Sequence, residues 1–303
     1  MTVAILGAGW VGAALGRALA ARGDTVHAAT TTPEKLEELR TAGMHPFLLS
    51  VTPDGIVGDG AAAFFEADAL VVTIPPGRRG PNGVEHYPAR IGHVVRAALG
   101  HAATARTRPD GKRAVPHLVF TSSTSVYPDL ESAPMLAEEA ADLEHGQRLR
   151  QSGAACLLAE RRLTEVAAHH APQAVTTVLR LAGLFGPGRT PARYLAGRTD
   201  IQGGDRPVNL VHRDDVVAAL LRVLDTEPGG TFNLVADAHP ARRAFYPAAA
   251  VALGLEPPTF VPSDGAVVGK RVSNARAKAK LGLTFRTLDP ARHAEETAPE
   301  TAS

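Results

Sequence analysis

Val3-Ala4-Ile5-Leu6-Gly7-Ala8-Gly9-Trp10-Val11-Gly12 decides the fold of this chain. Four apolar residues suit a buried strand, and Trp10 to Ala21 carries a helical pattern that Gly23 ends. Between them stands G-x-G-x-x-G. Gly7 permits a tight turn, Gly9 lets backbone approach a pyrophosphate, and Gly12 lets helix and strand pack closely. The helix N-terminus behind the turn offers N–H groups and the positive end of a dipole to phosphate oxygens. A glycine-rich turn alone is weak support. Between a strand and a helix, at the head of a βαβ series, it predicts a nicotinamide dinucleotide held by Gly7, Gly9, Trp10, Val11 and Gly12.

The alternation continues outward. Strands are predicted over Thr25–Ala29, Pro46–Leu49, Ala69–Ile74, Val115–Thr121 and Val175–Leu179, with helices over Pro33–Arg40, Tyr87–Leu99 and Ala155–His169. Such alternation makes an α/β fold, a Rossmann-type doubly wound parallel sheet. Beyond Leu181 glycine and proline crowd the chain as far as Gly204. A helix over Asp214–Leu224, a strand over Gly230–Leu234 and a helix over Arg242–Leu253 follow. We read a dinucleotide-binding domain over 1–181 and a smaller substrate-binding subdomain over 182–290, the two open to interleaving. Residues 291–303 read as a flexible tail, and Thr104 to Arg113 as a solvated basic loop.

Composition removes several classes of function. A net charge of +1 and the lack of a basic stripe argue against nucleic acid. Cys156 is the single cysteine, so no intrachain disulfide forms and a reducing compartment fits. The apolar start reads as strand–turn–helix, because glycines interrupt it and no basic segment precedes it. No run reaches the roughly 20 apolar residues of a membrane span. His169 and His170 are adjacent, so their side chains diverge on a helix, and no spacing suggests zinc. A cytoplasmic protein with a small-molecule substrate, and with neither nucleic-acid nor membrane partner, is expected.

The tip of the second strand, Ala29-Thr30-Thr31-Thr32-Pro33-Glu34-Lys35, bears on the cofactor. An acid at such a tip would hold the ribose hydroxyls of NAD, and none stands there. The hydroxyls of Thr30 and Thr31 with the Lys35 ammonium tolerate a 2′-phosphate, so NADP is favoured over NAD. Arginine, the usual phosphate fork, is absent from the tip. Pro75, in Thr73-Ile74-Pro75-Pro76-Gly77, is read as bordering the dinucleotide, a simple turn being the other reading.

Three more stretches carry a resemblance. They are Phe120-Thr121-Ser122-Ser123-Thr124-Ser125-Val126-Tyr127, Leu179-Arg180-Leu181-Ala182-Gly183-Leu184-Phe185-Gly186-Pro187-Gly188-Arg189, and Asn209-Leu210-Val211-His212-Arg213-Asp214-Asp215. With the glycine turn, they resemble the extended short-chain dehydrogenases/reductases, the NAD-dependent epimerase/dehydratase superfamily. Pro75-Pro76-Gly77 and Lys270-Arg271-Val272-Ser273-Asn274 look like an atypical branch of it. The resemblance implies a Ser or Thr four residues before the Tyr of the V-Y element, which is Ser123, with Ser122 beside it at the cofactor. A serine hydroxyl there can hydrogen-bond a substrate carbonyl or alcohol.

The superfamily's Tyr-x-x-x-Lys is missing. The best register sets Cys156 at the Tyr position and Glu160 at the Lys position. That pair cannot copy the chemistry, since a carboxylate raises a neighbouring thiol's pKa. The Asp-Glu that dehydratases place after their Thr is replaced by Thr124 and Ser125, which lack a pKa suited to water loss but are read as helpers of Ser123 in polarising a substrate oxygen. Candidates for the lost acid are Tyr127, in the V-Y element where packing is the default, and His212, a proton donor or a helix cap. Arg189, Asn209, Ser125 and Tyr194 are read as substrate contacts, and His86 is a further candidate. The expectation is an NAD(P)-dependent reductase or dehydrogenase on a small carbonyl, alcohol or imine. An epimerase with transient cofactor redox, and a silent dinucleotide sensor, remain as alternatives. A homodimer is compatible with the resemblance.

Overall fold

The computed structural model describes residues 1–77, 83–100, 116–142, 151–262, 265, 267–286, 288–289 and 292–298. The basic loop from Thr104 to Arg113 lies outside the described residues.

Seven strands form the main sheet: β1 (Thr2–Leu6), β2 (Thr25–Thr30), β3 (His45–Leu48), β4 (Ala69–Val72), β5 (His117–Ser123), β6 (Thr176–Leu181) and β7 (Gly230–Leu234). Their spatial order is β7-β6-β5-β4-β1-β2-β3, with β1 in parallel register against both β2 and β4. The chain winds outward from β1 in both directions, as in a doubly wound sheet, and this sets a crevice at the carboxyl ends of the central strands. Val3, Ala4 and Ile5 are wholly buried, as a central strand covered on both faces requires.

The helices are α1 (Trp10–Ala21), α2 (Lys35–Thr41), α3 (Ala61–Phe65), α4 (Tyr87–Gly100), α5 (Gln151–His170), α6 (Arg213–Thr226), α7 (Arg242–Ala252), α8 (Ala275–Leu281) and α9 (His293–Glu296). Predicted boundaries shift where a turn intervenes. Lys35 N–H donates to Thr32 O and Leu36 N–H to Pro33 O, so Pro33 and Glu34 form a turn before α2 begins. β4 stops at Val72, and the Thr73 hydroxyl beyond it donates to the Gly7 carbonyl at 2.6 Å.

The chain divides into two compact units. The first comprises Met1–Ser123, Arg150–Arg180 and Val217–Phe232; the second comprises Thr124–Leu149, Leu181–Val216 and Asn233–Ser303. The second unit has its own core, with Phe185, Val208, Leu210, Ala236, Phe245 and Ala249 buried together. Within it Gly183–Phe185 pairs in parallel with Leu210–His212. The tail predicted to be flexible is held in its described part. The Gly188 N–H donates to Thr297 O at 3.0 Å, and Thr297 is buried. Composition misses this because the anchor is main-chain.

Among the described residues, no helix is long and apolar enough to cross a membrane. No group of three or more His, Cys, Asp or Glu side chains among them is arranged to hold a metal ion.

Candidate cofactor site

The glycine turn is shaped by backbone sterics. Gly7 has φ +107°, a conformation that L side chains avoid, and its N–H and that of Ala8 donate to Ala29 O at 3.2 and 2.7 Å. A Cβ on Gly12 would stand 2.3 Å from the Gly7 carbonyl oxygen. Gly9 differs: it is exposed, and the nearest atom to a Cβ there is 4.0 Å away. So Gly7 and Gly12 close the turn, and Gly9 leaves an open approach. Gly9 is also the N-cap of α1, with no side chain capping the helix and no acid in its first turn. No capping side chain or acid competes for this end of the helix, the arrangement a pyrophosphate site uses. Trp10, Val11 and Gly12 begin α1 behind the turn, Val11 and Gly12 being buried.

A cavity of about 230 Å³ opens beside this turn within the first unit. Its walls are Leu6–Gly9, Ala29–Thr32 with Lys35, Leu49–Val51, Thr73–Pro75, and Arg90 from α4. Thr30, Thr31, Lys35 and Pro75, the sequence candidates for the cofactor, all line this cavity. The lining holds two cations, Lys35 and Arg90, and no carboxylate. Lys35 is exposed. The Thr30 hydroxyl accepts from Thr32 N–H at 3.1 Å, which orders the β2 tip. Tyr87, fully buried at the start of α4, donates to Ile74 O at 2.7 Å and supports the wall after β4. Burial pushes its phenol far above the ordinary tyrosine range, so it stays a donor.

Arg90 is the residue that sequence reasoning missed. It is 6% exposed; its Nε donates to Val51 O at 2.8 Å, and the guanidinium carbon lies 5.8 Å from the Tyr87 ring centroid. Burial lowers its pKa from the ordinary arginine value. An arginine among the apolar residues of a long helix carries no motif, so only the fold reveals it.

Ser122 is not part of the cavity wall. Its hydroxyl donates to Glu160 Oε1 at 2.5 Å, and Arg180 Nη2 donates to Glu160 Oε2 at 2.7 Å. Ser122, Glu160 and Arg180 are all buried. The position where the family resemblance expects lysine is thus the centre of a buried ion pair joining α5 to β6. Cys156, one turn earlier on α5, is 3% exposed, as a small packed residue would be. Ser123, at the end of β5, is partly exposed.

In the second unit, Thr124–Val126 forms a short 3-10 turn with Thr124 buried and Ser125 partly exposed. Tyr127 is 1% exposed and its hydroxyl donates to Asn233 Oδ1 at 2.7 Å, a packed arrangement. Asn209 clamps the segment after residue 269: its Nδ2 donates to Lys270 O at 2.9 Å and its Oδ1 accepts from Val272 N–H at 3.0 Å. Asn233 Nδ2 adds a bond to Ser273 O at 3.0 Å, and Asn274 Nδ2 one to Val235 O at 2.8 Å. Lys270–Asn274 is therefore a stapled strap. Arg189 and Tyr194 are exposed, Tyr194 at 72%, and His86 lies in the first unit beside Glu85.

His212 is 3% exposed at the head of α6. Its Nδ1 accepts from Asp214 N–H at 3.2 Å and faces the Arg286 guanidinium, while Nε2 lies 3.3 Å from Glu296 O. These partners fix a neutral ring protonated on Nε2. Burial, then the Arg286 charge, lowers its pKa. Burial would raise Asp214, but hydrogen bonds from Arg286 and Arg213 and the nearby His212 outweigh it and hold the carboxyl low. His212 thus caps α6, with both ring nitrogens engaged.

Comparison with known proteins bears on the family and the fold. A family model described as the NAD dependent epimerase/dehydratase family matches residues 3–234. Protein YeeZ of Escherichia coli (strain K12) is 37% identical over 290 residues, which cover 95% of this chain and 97% of that protein. UDP-glucuronic acid 4-epimerase from Bacillus cereus, solved in complex with NAD, aligns with a TM-score of 0.75 at 14% identity, covering 98% of this chain and 97% of that one. A short-chain dehydrogenase/reductase superfamily protein from Agrobacterium tumefaciens with bound NAD gives a TM-score of 0.73 at 20% identity, covering 98% and 95%. At these identities the solved structures speak to the fold.

Proposed function

Because this chain belongs to the NAD dependent epimerase/dehydratase family, we propose that it is an NAD(P)-dependent oxidoreductase acting on a small carbonyl, alcohol or imine. The observation that carries this reading is the glycine cradle: Gly7 and Gly12 leave no room for a Cβ, while Gly9 is open beside a cavity of about 230 Å³. The residues fit a dinucleotide. The turn and the uncapped start of α1 hold the pyrophosphate, and Thr30 to Thr32 with Lys35 take the adenosine ribose. A bound nicotinamide supplies or accepts hydride. NADP(H) is the preferred form in this reading, since the lining carries Lys35 and no carboxylate to bind the 2′-hydroxyl.

The substrate oxygen is polarised by Ser123, with Thr124 and Ser125 next to it in the chain. The proton comes from water or a substrate group, because the hydroxyl of Tyr127 and both nitrogens of His212 are engaged. Epimerisation through a ketone needs a competent base, and Glu160 is bound to Ser122 and Arg180. That same ion pair favours a second reading, a dinucleotide sensor without turnover.

Thermal shifts with NADPH and NADH, followed by NADPH oxidation across a panel of small aldehydes, ketones and imines, test the proposal. Turnover that Ser123→Ala lowers about a hundredfold, with NADPH binding intact, is expected. Binding without turnover favours the sensor. No shift with either dinucleotide overturns both.

A further inference from the structure

One residue of the cavity lining carries a donor that the described residues leave unused. Arg90 Nη1 is buried and has no hydrogen-bond partner among the described residues, and Arg90, 6% exposed, lines the cavity. Buried cationic N–H groups are normally paired, because leaving one unmade forfeits the water it gave up. Arg90 is not loose: Nε is pinned to Val51 O, and the guanidinium lies near the Tyr87 ring. A pinned fork on a cavity-lining residue, with one prong unengaged, is a preformed recognition element.

We propose that Arg90 reads the adenine base, donating Nη1 N–H to a ring nitrogen. This rests on the dinucleotide reading above and deepens it. The sheet order supplies the placement. β1, β2 and β3 are neighbours in that order, and the cavity wall follows them from the glycine turn, past the β2 tip, to Leu49–Val51 beyond β3. With the pyrophosphate at the turn and the ribose at the β2 tip, the third station belongs to the base. Arg90 is bonded at that station.

The surroundings choose a base over a phosphate. Leu49 and Val51 are 3% and 4% exposed, an apolar setting that suits a flat heterocycle. A 2′-phosphate there would lose its hydration, whereas Lys35 at the exposed head of α2 can hold it in water. Adenine offers ring-nitrogen acceptors and a π face to a weakly hydrated guanidinium.

The test compares AMP, adenosine 2′,5′-bisphosphate and nicotinamide mononucleotide by calorimetry on wild type, Arg90→Met and Arg90→Lys. Arg90→Met should weaken both adenosine ligands by the same factor, about ten- to a hundredfold, and leave nicotinamide mononucleotide unchanged. Arg90→Lys should recover part of the loss. Selective loss of the bisphosphate makes Arg90 a phosphate reader and overturns the proposal, as does unchanged binding of both. If Arg90→Met does not fold, side-chain nitrogen NMR of the wild type decides. The Arg90 guanidinium resonances should shift with AMP and not with nicotinamide mononucleotide; no shift with AMP overturns the inference. Wild-type protein that binds neither NADH nor NADPH overturns the dinucleotide reading itself, a result separate from any Arg90 effect.

Discussion

Arg180 Nη2 stands 2.7 Å from Glu160 Oε2, and both side chains are more than nine-tenths buried. Ser122 completes the group from β5, so three elements of the first unit meet on one carboxylate. Removing one partner of such a pair leaves an uncompensated charge. Glu160→Ala should cost about 3–5 kcal/mol in urea unfolding. Glu160→Lys should be as damaging, since it sets a second cation against Arg180, and it should not create family-type catalysis. The double change Glu160→Met with Arg180→Met should recover most of the loss. A Glu160→Ala midpoint equal to wild type would remove the ion pair from the account.

The three glycines of the turn should separate by phenotype. Gly12→Ala sets a methyl 2.3 Å from the Gly7 carbonyl oxygen and should destabilise the fold by about 1–3 kcal/mol. Gly9→Ala meets nothing nearer than 4.0 Å and should cost at most about 1 kcal/mol, as an N-cap change does. Its effect should fall on NADPH affinity, by about tenfold or more, because the methyl occupies the pyrophosphate's approach. Equal effects of the two on melting temperature would contradict this division.

Lys35 governs the NADP(H) preference proposed above. Lys35→Ala should weaken NADPH about tenfold and leave NADH nearly unchanged, as for loss of one charge-assisted contact. The contact is exposed, so the difference should shrink in high salt. NADH and NADPH titrations at two salt concentrations decide it.

The His212 cap should give a pH signature. Its pKa is lowered in the folded protein, so the unfolded chain binds the extra proton and stability falls as pH drops below about 6.5. Arg286, Asp214, Asp215 and the Glu296 carbonyl surround the ring, and all remain in place when His212 alone is changed. Burial raises Asp215 and Glu296, which gain protons more readily when folded and oppose the trend at more acid pH. His212→Gln should shrink, not abolish, the slope expected just below pH 6.5 in thermal melts, because burial lowers the pKa of His239 as well. A wild-type melting temperature flat through that range would exclude a neutral buried ring.

The turn and the βαβ series were legible from sequence because each obeys a local rule. Gly7 needs a positive φ, and Val3 to Ile5 need burial on both faces. The β2 tip was legible for the same reason, its residues being consecutive. Arg90 and the Ser122–Glu160–Arg180 group were not, since each joins residues from separate elements and no spacing along the chain encodes the contact. Cys156 and Glu160 were recognised as departures from the family pattern, but that Glu160 serves as an anchor depends on Arg180 from β6. The tail fits the same rule. Its Ala, Glu and Thr content suggested mobility, while Gly188 N–H holds Thr297 by main-chain bonding.

The chain crosses between its two compact units five times, and β7, the edge strand of the main sheet, begins only at Gly230. During synthesis the sheet therefore remains unfinished until the greater part of the polypeptide has left the ribosome. Until then β6 presents an unpaired edge, the kind of surface that recruits other nascent chains. A fragment cut after residue 181, which looks from sequence like a ready-made nucleotide-binding module, would keep that edge permanently. It is expected to aggregate rather than serve as a minimal domain.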